Sequence, residues 1–418
     1  ILFVAIYRFG SYVVLPGINP AMLAKLHEQT SEGLLALLNM FSGGAFSNAS
    51  IFALGIMPYI SASIVIQLLG IAVPYFQKLQ REGESGRRKM NQYTRYLTIA
   101  ILLVQAPSYL LNLKMQAGPS LNASLDWTLF MVTSTIILAA GSMFILWLGE
   151  RITDKGIGNG ISFIILIGII ARFPDALIQE VVSRVANKSG GLIMFIIEVV
   201  FLLLVIGAAI LLVQGTRKIP VQYAKKVQGR KQMGGQSSNI PLKVNTAGVI
   251  PVIFASSLMA IPSIITSLFG KSPSGVGAKI LQGMSQSYWF NPNYPWGFLG
   301  LAVYILLVFF FAYFYTAITF NPMEIANNMK KSGGFVPGIR PGKPTQDYLN
   351  KILNYIIFIG AVGLLIVAMI PMFFNGFFSV NVSFGGTSII IVVGVVIETM
   401  KSLESQMLVR HYQGFLLD

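Results

Sequence analysis

The chain contains no cysteine. That absence removes disulfide scaffolds, thiolate metal sites and thiol nucleophiles together, and only His27 and His411 offer imidazole, so a redox or zinc role is not expected. Acids are also scarce: fifteen Asp and Glu stand against thirty Lys and Arg, for a formal net charge of +15. Nucleotide fingerprints fail on inspection. Gly156-x-Gly158-x-Gly160 follows no strand of a Rossmann unit, and Gly338 to Lys343 resembles part of a phosphate-binding loop in which Pro344 replaces the magnesium-holding Ser or Thr. No catalytic residue, metal site or cofactor is expected.

Charge itself is what the chain lacks most. Only 11% of residues are charged and 54% are apolar, with a mean hydropathy of +0.70, whereas soluble domains are roughly 25% charged. The composition describes a polytopic membrane protein. Apolar runs near the roughly 20 residues needed to cross the hydrocarbon core number about ten. They lie near Ile1–Leu15, Ile51–Tyr75, Tyr96–Leu113, Thr128–Leu148, Ile157–Ala171, Leu192–Val213, Ala247–Phe269, Phe298–Phe320, Ile352–Phe373 and Thr387–Met400. The chain opens on Ile1 with no basic leader, so the first run is read as a clipped span and not as a signal peptide. Ionisable groups are nearly missing from these runs, with Arg8, Glu198 and Glu398 as the exceptions, which argues against ion-coupled transport.

Two of the runs share the pattern Gly-x-x-Pro-x-Ile-x-Ala-Ser, at Gly55–Ser63 and again at Gly248–Ser256. Gly and Pro interrupting corresponding spans point to a central pathway between inverted repeats, because freed backbone groups are tolerated at membrane depth only around a lined cavity. Charge gives the same topology. Most Lys and Arg fall in alternate loops, including Arg87, Arg88, Lys89, Arg217, Lys218, Lys225, Lys226, Lys330 and Lys331, so both termini are assigned to the cytoplasm. Five spans per half is an odd number, which makes the second half enter from the opposite face. The expected organisation is a first half over 1–190 and a second over 191–418.

The second half carries two basic cytoplasmic loops, about 215–246 and 321–350, too long for simple turns. The first holds Arg217, Lys218, Lys225, Lys226, Arg230, Lys231 and Lys243 with no acid, which suits phosphate, anionic lipid or an acidic partner. In the second, Pro337, Pro341 and Pro344 with flanking glycines stiffen a turn that presents Arg340. Before the second span, Met40–Ser50 is rich in Gly, Ser and Asn. It is either an ordinary external loop or a re-entrant segment sheltered inside protein. Isoleucine pairs four apart, Ile56 with Ile60 and Ile165 with Ile169, share a helix face; apolar rings close pores by dewetting, although such residues also face lipid. These features point to a lined membrane pathway with a docking surface, with an inverted-repeat solute transporter and a docking scaffold as the rival readings.

MFSGGAFSNASIFALGIMPYISASIVIQLL from Met40 to Leu69, EGESGRRK from Glu82, WLGERITDKGIGNGIS from Trp147, NTAGVIPVIFASS from Asn245, KKSGGFVPGIRPGKPT from Lys330 and FGGTS from Phe384 closely resemble the SecY family of bacterial protein-conducting channels. The resemblance runs over essentially the whole chain. It implies an all-α polytopic fold of about ten transmembrane helices in two inverted five-helix halves, with a re-entrant plug at about 42–50 that includes Ser42, Gly43, Gly44, Ala45, Phe46, Ser47 and Asn48. It also implies a pore ring of Ile56, Ile60, Ile165, Ile169, Ile253 and Ile391. A lateral gate between the second and seventh spans would carry a polar cluster of Ser61, Gln105 and Asn245 joined by hydrogen bonds. Unfolded secretory polypeptides would cross through the ring, and apolar segments would leave sideways into lipid. Implied partners are SecE-like and SecG-like small subunits, signal peptides and nascent chains, anionic lipids, and a SecA motor or ribosome docked at Arg230, Lys231 and Arg340. The implied location is the bacterial inner membrane.

Overall fold

The computed structural model describes residues 2–20, 23, 39, 41–117, 126–156, 158–186, 191–223, 226–228, 231–233, 237–268, 275–284, 289–290, 294–378 and 386–415. Each of the ten apolar runs carries a helix. In the first half these are α1 (Leu2–Gly10), α2 (Met57–Ala72), α4 (Glu84–Ala117), α5 (Trp127–Lys155) and α6 (Gly160–Ala186), with a short α3 (Pro74–Arg81) between α2 and α4. In the second half they are α7 (Gly191–Gln214), α8 (Ile250–Leu268), α10 (Gly297–Thr319), α12 (Lys343–Phe378) and α13 (Gly386–Phe415), with α9 (Val276–Gly283) and α11 (Pro322–Lys331) between spans. Among the described residues, five helices are long and apolar enough to cross a membrane alone, and α2 with α3 forms a bent pair turning by 100°. The bend has a local cause. Pro74 opens α3 and excludes the helical region for the residue before it, so Val73 is extended at φ −114, ψ 120.

The first run departs from expectation. Its helix stops at Gly10, where an added Cβ would collide with the Phe52 ring, and Ser11 Oγ donates to the Tyr7 carbonyl at 2.9 Å. The chain beyond it runs alongside the Ser50 region instead of extending the helix: Ile51 N–H donates to Val13 O, and Leu15 N–H to Ala49 O, both at 2.9 Å.

Helix packing follows the same order twice. α2 packs on α4, α4 on α5 and α5 on α6; likewise α8 packs on α10, α10 on α12 and α12 on α13. Helix α1 lies against α5 and α7 against α12. The two sets meet where α6 touches α7 and α13, and again where α4 touches α8. The paired Gly-Pro segments match in backbone detail. Gly55 and Gly248 both take left-handed conformations, at φ 54 and 63, two residues ahead of a helix that begins with Pro58 or Pro251 at its second position. The parallel extends to a crossing: Gly141 of α5 abuts the Ile51 carbonyl, and Gly360 of α12 abuts the Val244 carbonyl. Ile51 and Val244 each stand four residues before their respective glycines, Gly55 and Gly248.

The basic loops are folded, a correction to their reading as loops and an addition to an otherwise helical chain. Strand β1 (Thr216–Tyr223) pairs antiparallel with β4 (Ser237–Lys243), aligning Ile219 with Ile240, and with β5 (Gly334–Phe335) at Gln222 and Tyr223. Strands β2 (Lys226–Gln228) and β3 (Lys231–Met233) form a second small ladder. Ile219 and Val221 alternate inward on β1 and, with Leu242, join Met329 of α11, Val336, and Leu349 and Ile356 of α12 in a separate apolar core. The two loops are therefore one body rooted on α12. Truncating Leu349, which is fully buried, to alanine is expected to lower that body's stability by about 2–5 kcal/mol. Hydrogen exchange should show faster exchange of β1 and β4 amides while α2 and α4 amides keep their rates.

Candidate functional site

Four segments drawn from both halves contribute isoleucines to one large apolar cluster. Ile56, at the N-cap of α2, Ile60, one turn inside it, Ile165 and Ile169 of α6, Ile253 of α8 and Ile391 of α13 are all buried members of that cluster. Ile60 and Ile253 occupy the same position of the repeated motif and have the same exposure, 9%. Stiff β-branched side chains in such a cluster fill space without offering hydrogen bonds.

Directly against this cluster lies the Ser42–Ser50 segment. Phe41 and Ala45 belong to the same cluster as the isoleucines, whereas Phe46 and Ala49 join a neighbouring one with Leu15, Tyr109, Leu110 and Phe130. Ser42, Gly43, Ala45, Phe46 and Ser47 are buried, and Gly44 and Asn48 are half-buried. Burial of this kind is what a segment sheltered inside protein would show. Its polar composition has a physical reason: a non-helical backbone here must satisfy itself. Asn39 Oδ1 accepts from Ser47 N–H at 3.0 Å, Ser42 Oγ accepts from Phe46 N–H at 3.0 Å, and Ser50 Oγ donates to Ala45 O at 3.2 Å. Gly43 and Gly44 supply left-handed turns at φ 65 and 90. At Gly43 the chain passes so close to Gly168 of α6 that an added Cβ would come within 2.9 Å of the Gly168 Cα.

The other expected residues are less tightly grouped. Asn245 is buried in the turn before α8, and Ser61 and Gln105 are half-buried on α2 and α4. Among the described residues, no hydrogen bond joins these three side chains to one another. Arg340 is exposed, and Thr345 Oγ1 donates to its carbonyl at 2.8 Å while Ile339 N–H closes a turn onto Val336 O at 3.0 Å. Lys231 lies on β3, and Arg230 lies outside the described residues.

A sequence model of the SecY family matches residues 50–400. The chain belongs to the SecY family. Protein translocase subunit SecY of Streptomyces scabiei is 43% identical, covering 99% of this chain and 94% of that protein. The SecY of Halalkalibacterium halodurans is 45% identical over 100% of this chain and 95% of its own length. Among solved structures, one of a protein-conducting channel superposes with a TM-score of 0.66 at 17% identity, over 97% of this chain and 90% of that one. Canine Sec61, in its ribosome–channel complex, gives 0.64 at the same identity and coverage. Like its SecY relatives, the chain is a multi-pass membrane protein and the channel subunit of a protein translocase. Sequence reasoning missed Tyr7 and Tyr109, whose hydroxyls donate to carbonyls of the sheltered segment.

Proposed function

We propose that unfolded polypeptides cross through the cluster that holds Ile56, Ile60, Ile165, Ile169, Ile253 and Ile391, and that Ser42–Asn48 is the plug that occludes it at rest. The observation that carries this reading is the membership of these six side chains, from both halves, in one large buried cluster that also takes in Phe41 and Ala45. Branched apolar groups seal around a chain of any sequence because they demand no matching hydrogen bonds. Residues 1–190 and 191–418 act as two inverted copies, a reading supported by the matched packing orders, the paired left-handed glycines and the Gly141 and Gly360 crossings. The lateral gate lies between α2 and α8, with α4 touching α8 along that seam. Ser61, Gln105 and Asn245 line it. The protein has no enzymatic step of its own, so energy comes from a partner.

A direct test uses the cysteine-free background. A bulky maleimide coupled to Ile165→Cys is expected to block translocation by the reconstituted channel, while the same adduct on Leu203→Cys, which is exposed on α7, leaves it running. Equal block at both positions, or at neither, would remove the pore from this cluster.

Docking belongs to the folded cytoplasmic body, with exposed Arg217, Lys218, Lys243, Lys330, Lys331 and Arg340 on a basic surface. A ribosome or a SecA-like motor would engage it through phosphate or carboxylate groups, and SecE-like and SecG-like subunits, signal peptides and anionic lipid complete the assembly in a bacterial inner membrane with both termini cytoplasmic. Because the Arg340 backbone is pinned and its side chain exposed, Arg340→Glu should cut partner-driven translocation by at least about tenfold, the loss of one buried charge-assisted pair. Its melting temperature should stay unchanged. Parental translocation by this variant would rule out docking at Arg340.

A further inference from the structure

We infer that Tyr7, Arg8 and Tyr109 form a latch that holds the plug by its backbone and so sets how firmly the resting channel is shut. This rests on the plug reading above. Tyr7 Oη donates to the Ser42 carbonyl at 3.1 Å, Arg8 Nη1 to the Gly43 carbonyl at 2.9 Å, and Tyr109 Oη to the Phe46 carbonyl at 2.8 Å. All three acceptors are main-chain oxygens within five residues, in the stretch where the left-handed glycines at 43 and 44 turn the chain out of regular helix.

The donors are built for this task. Both tyrosines are almost fully buried, Tyr7 at 1% and Tyr109 at 5%, and each is packed by a ring: Tyr7 stacks on Phe52 at 6.3 Å between centroids, and Tyr109 lies against Phe46 at 4.7 Å. Packing fixes the hydroxyls, so they are presented to the carbonyls at little further entropic cost. Arg8 is a cation within the first apolar run, where charge is retained only for a reason. Its guanidinium spans two contacts, with Nη1 on the plug and Nη2 donating to Tyr12 Oη at 3.0 Å. Holding backbone oxygens means that the latch reads the path of the plug rather than its side chains.

The latch has two jaws on different elements. Tyr7 and Arg8 belong to α1, which lies against α5, whereas Tyr109 belongs to α4, a first-half helix that touches α8. Movement of α4 at that seam therefore reaches the plug through the Tyr109 hydroxyl, and the α1 jaw keeps hold until its own two bonds break.

The test is the resting ion conductance of the reconstituted channel complex, with deletion of residues 42–48 as the leaking reference. Tyr7→Phe and Tyr109→Phe remove one oxygen each and keep the ring packing. Each is expected to raise the resting open fraction about tenfold, as loss of one buried hydrogen bond does. Arg8→Met should leak more, and Arg8→Lys, which keeps a cationic donor, should recover most of the closure. In parallel, Ser47→Cys should react faster with a membrane-impermeant thiol reagent when combined with either phenylalanine variant. A leaking deletion beside phenylalanine variants at parental conductance and labelling rate would overturn the latch and leave the plug standing. A deletion that does not leak would overturn both. Should Arg8→Met fail to assemble, the two phenylalanine variants decide alone, since they leave the fold's apolar contacts intact.

Discussion

Replacing Ile60 and Ile253 together by asparagine is expected to raise the resting ion permeability of the reconstituted channel by more than tenfold without lowering its amount in the membrane. The two positions are equivalent in the repeated motif, they come from opposite halves, and both are buried in the same cluster. Hydrocarbon at a constriction excludes water because no group there repays the lost hydrogen bonds, whereas an unpaired amide buried there would cost roughly 2–7 kcal/mol, a cost that hydration of the constriction relieves. The paired substitution therefore favours a wet state over a dry one. Ion efflux from loaded vesicles measures it, with Leu203→Asn on the exposed face of α7 as the comparison. Unchanged efflux in the double variant would locate the seal elsewhere, with the plug as its remaining candidate.

The second large effect concerns the two crossings. Gly141→Leu and Gly360→Leu should each destabilise the folded channel by about 3 kcal/mol or more, because the new Cβ meets a backbone carbonyl oxygen, Ile51 O or Val244 O, that no side-chain rotation can clear. Gly207 on α7 supplies the contrast. Nothing stands within 4 Å of its added Cβ, so Gly207→Ala should be neutral or slightly stabilising, since alanine is the better helix former. Thermal unfolding in detergent should separate the pair from the control by many degrees. Comparable melting temperatures for all three would show that the crossings are not tight. A large loss at 141 with none at 360 would break the equivalence of the halves.

Part of this architecture is legible in the sequence. The repeat could be read because Gly and Pro are required by backbone geometry, and Gly55 and Gly248 do adopt the left-handed conformation that excludes most other residues. The sheltered segment could be read only as an alternative to an external loop, on the ground that Ser, Asn and Gly at membrane depth must satisfy a non-helical backbone internally, as Asn39, Ser42 and Ser50 do. Its burial against Phe41, Tyr109 and the isoleucines required the fold. Strand β1 was hidden because Arg217, Lys218 and Pro220 blur the alternation of Ile219 and Val221. Its core partners Met329, Val336 and Leu349 lie about a hundred residues away, beyond any local signal. Pro220 is accommodated because β5 pairs only at Gln222 and Tyr223, leaving that edge open beside the proline. Tyr7 and Tyr109 gave no warning either, since a hydroxyl that bonds a main-chain carbonyl has no partner visible in sequence.

The proposed path of the polypeptide runs between the two halves through the isoleucine cluster. Its most direct measurement places single cysteines at Ile60, Ile165 and Ile253 and, as controls, at exposed Leu203 and Leu211 of α7, then arrests a cysteine-bearing secretory precursor part-way across. Disulfide crosslinks to the precursor at all three cluster positions and at neither control are the predicted result; crosslinks at the controls alone, or none anywhere with the precursor demonstrably engaged, would contradict it.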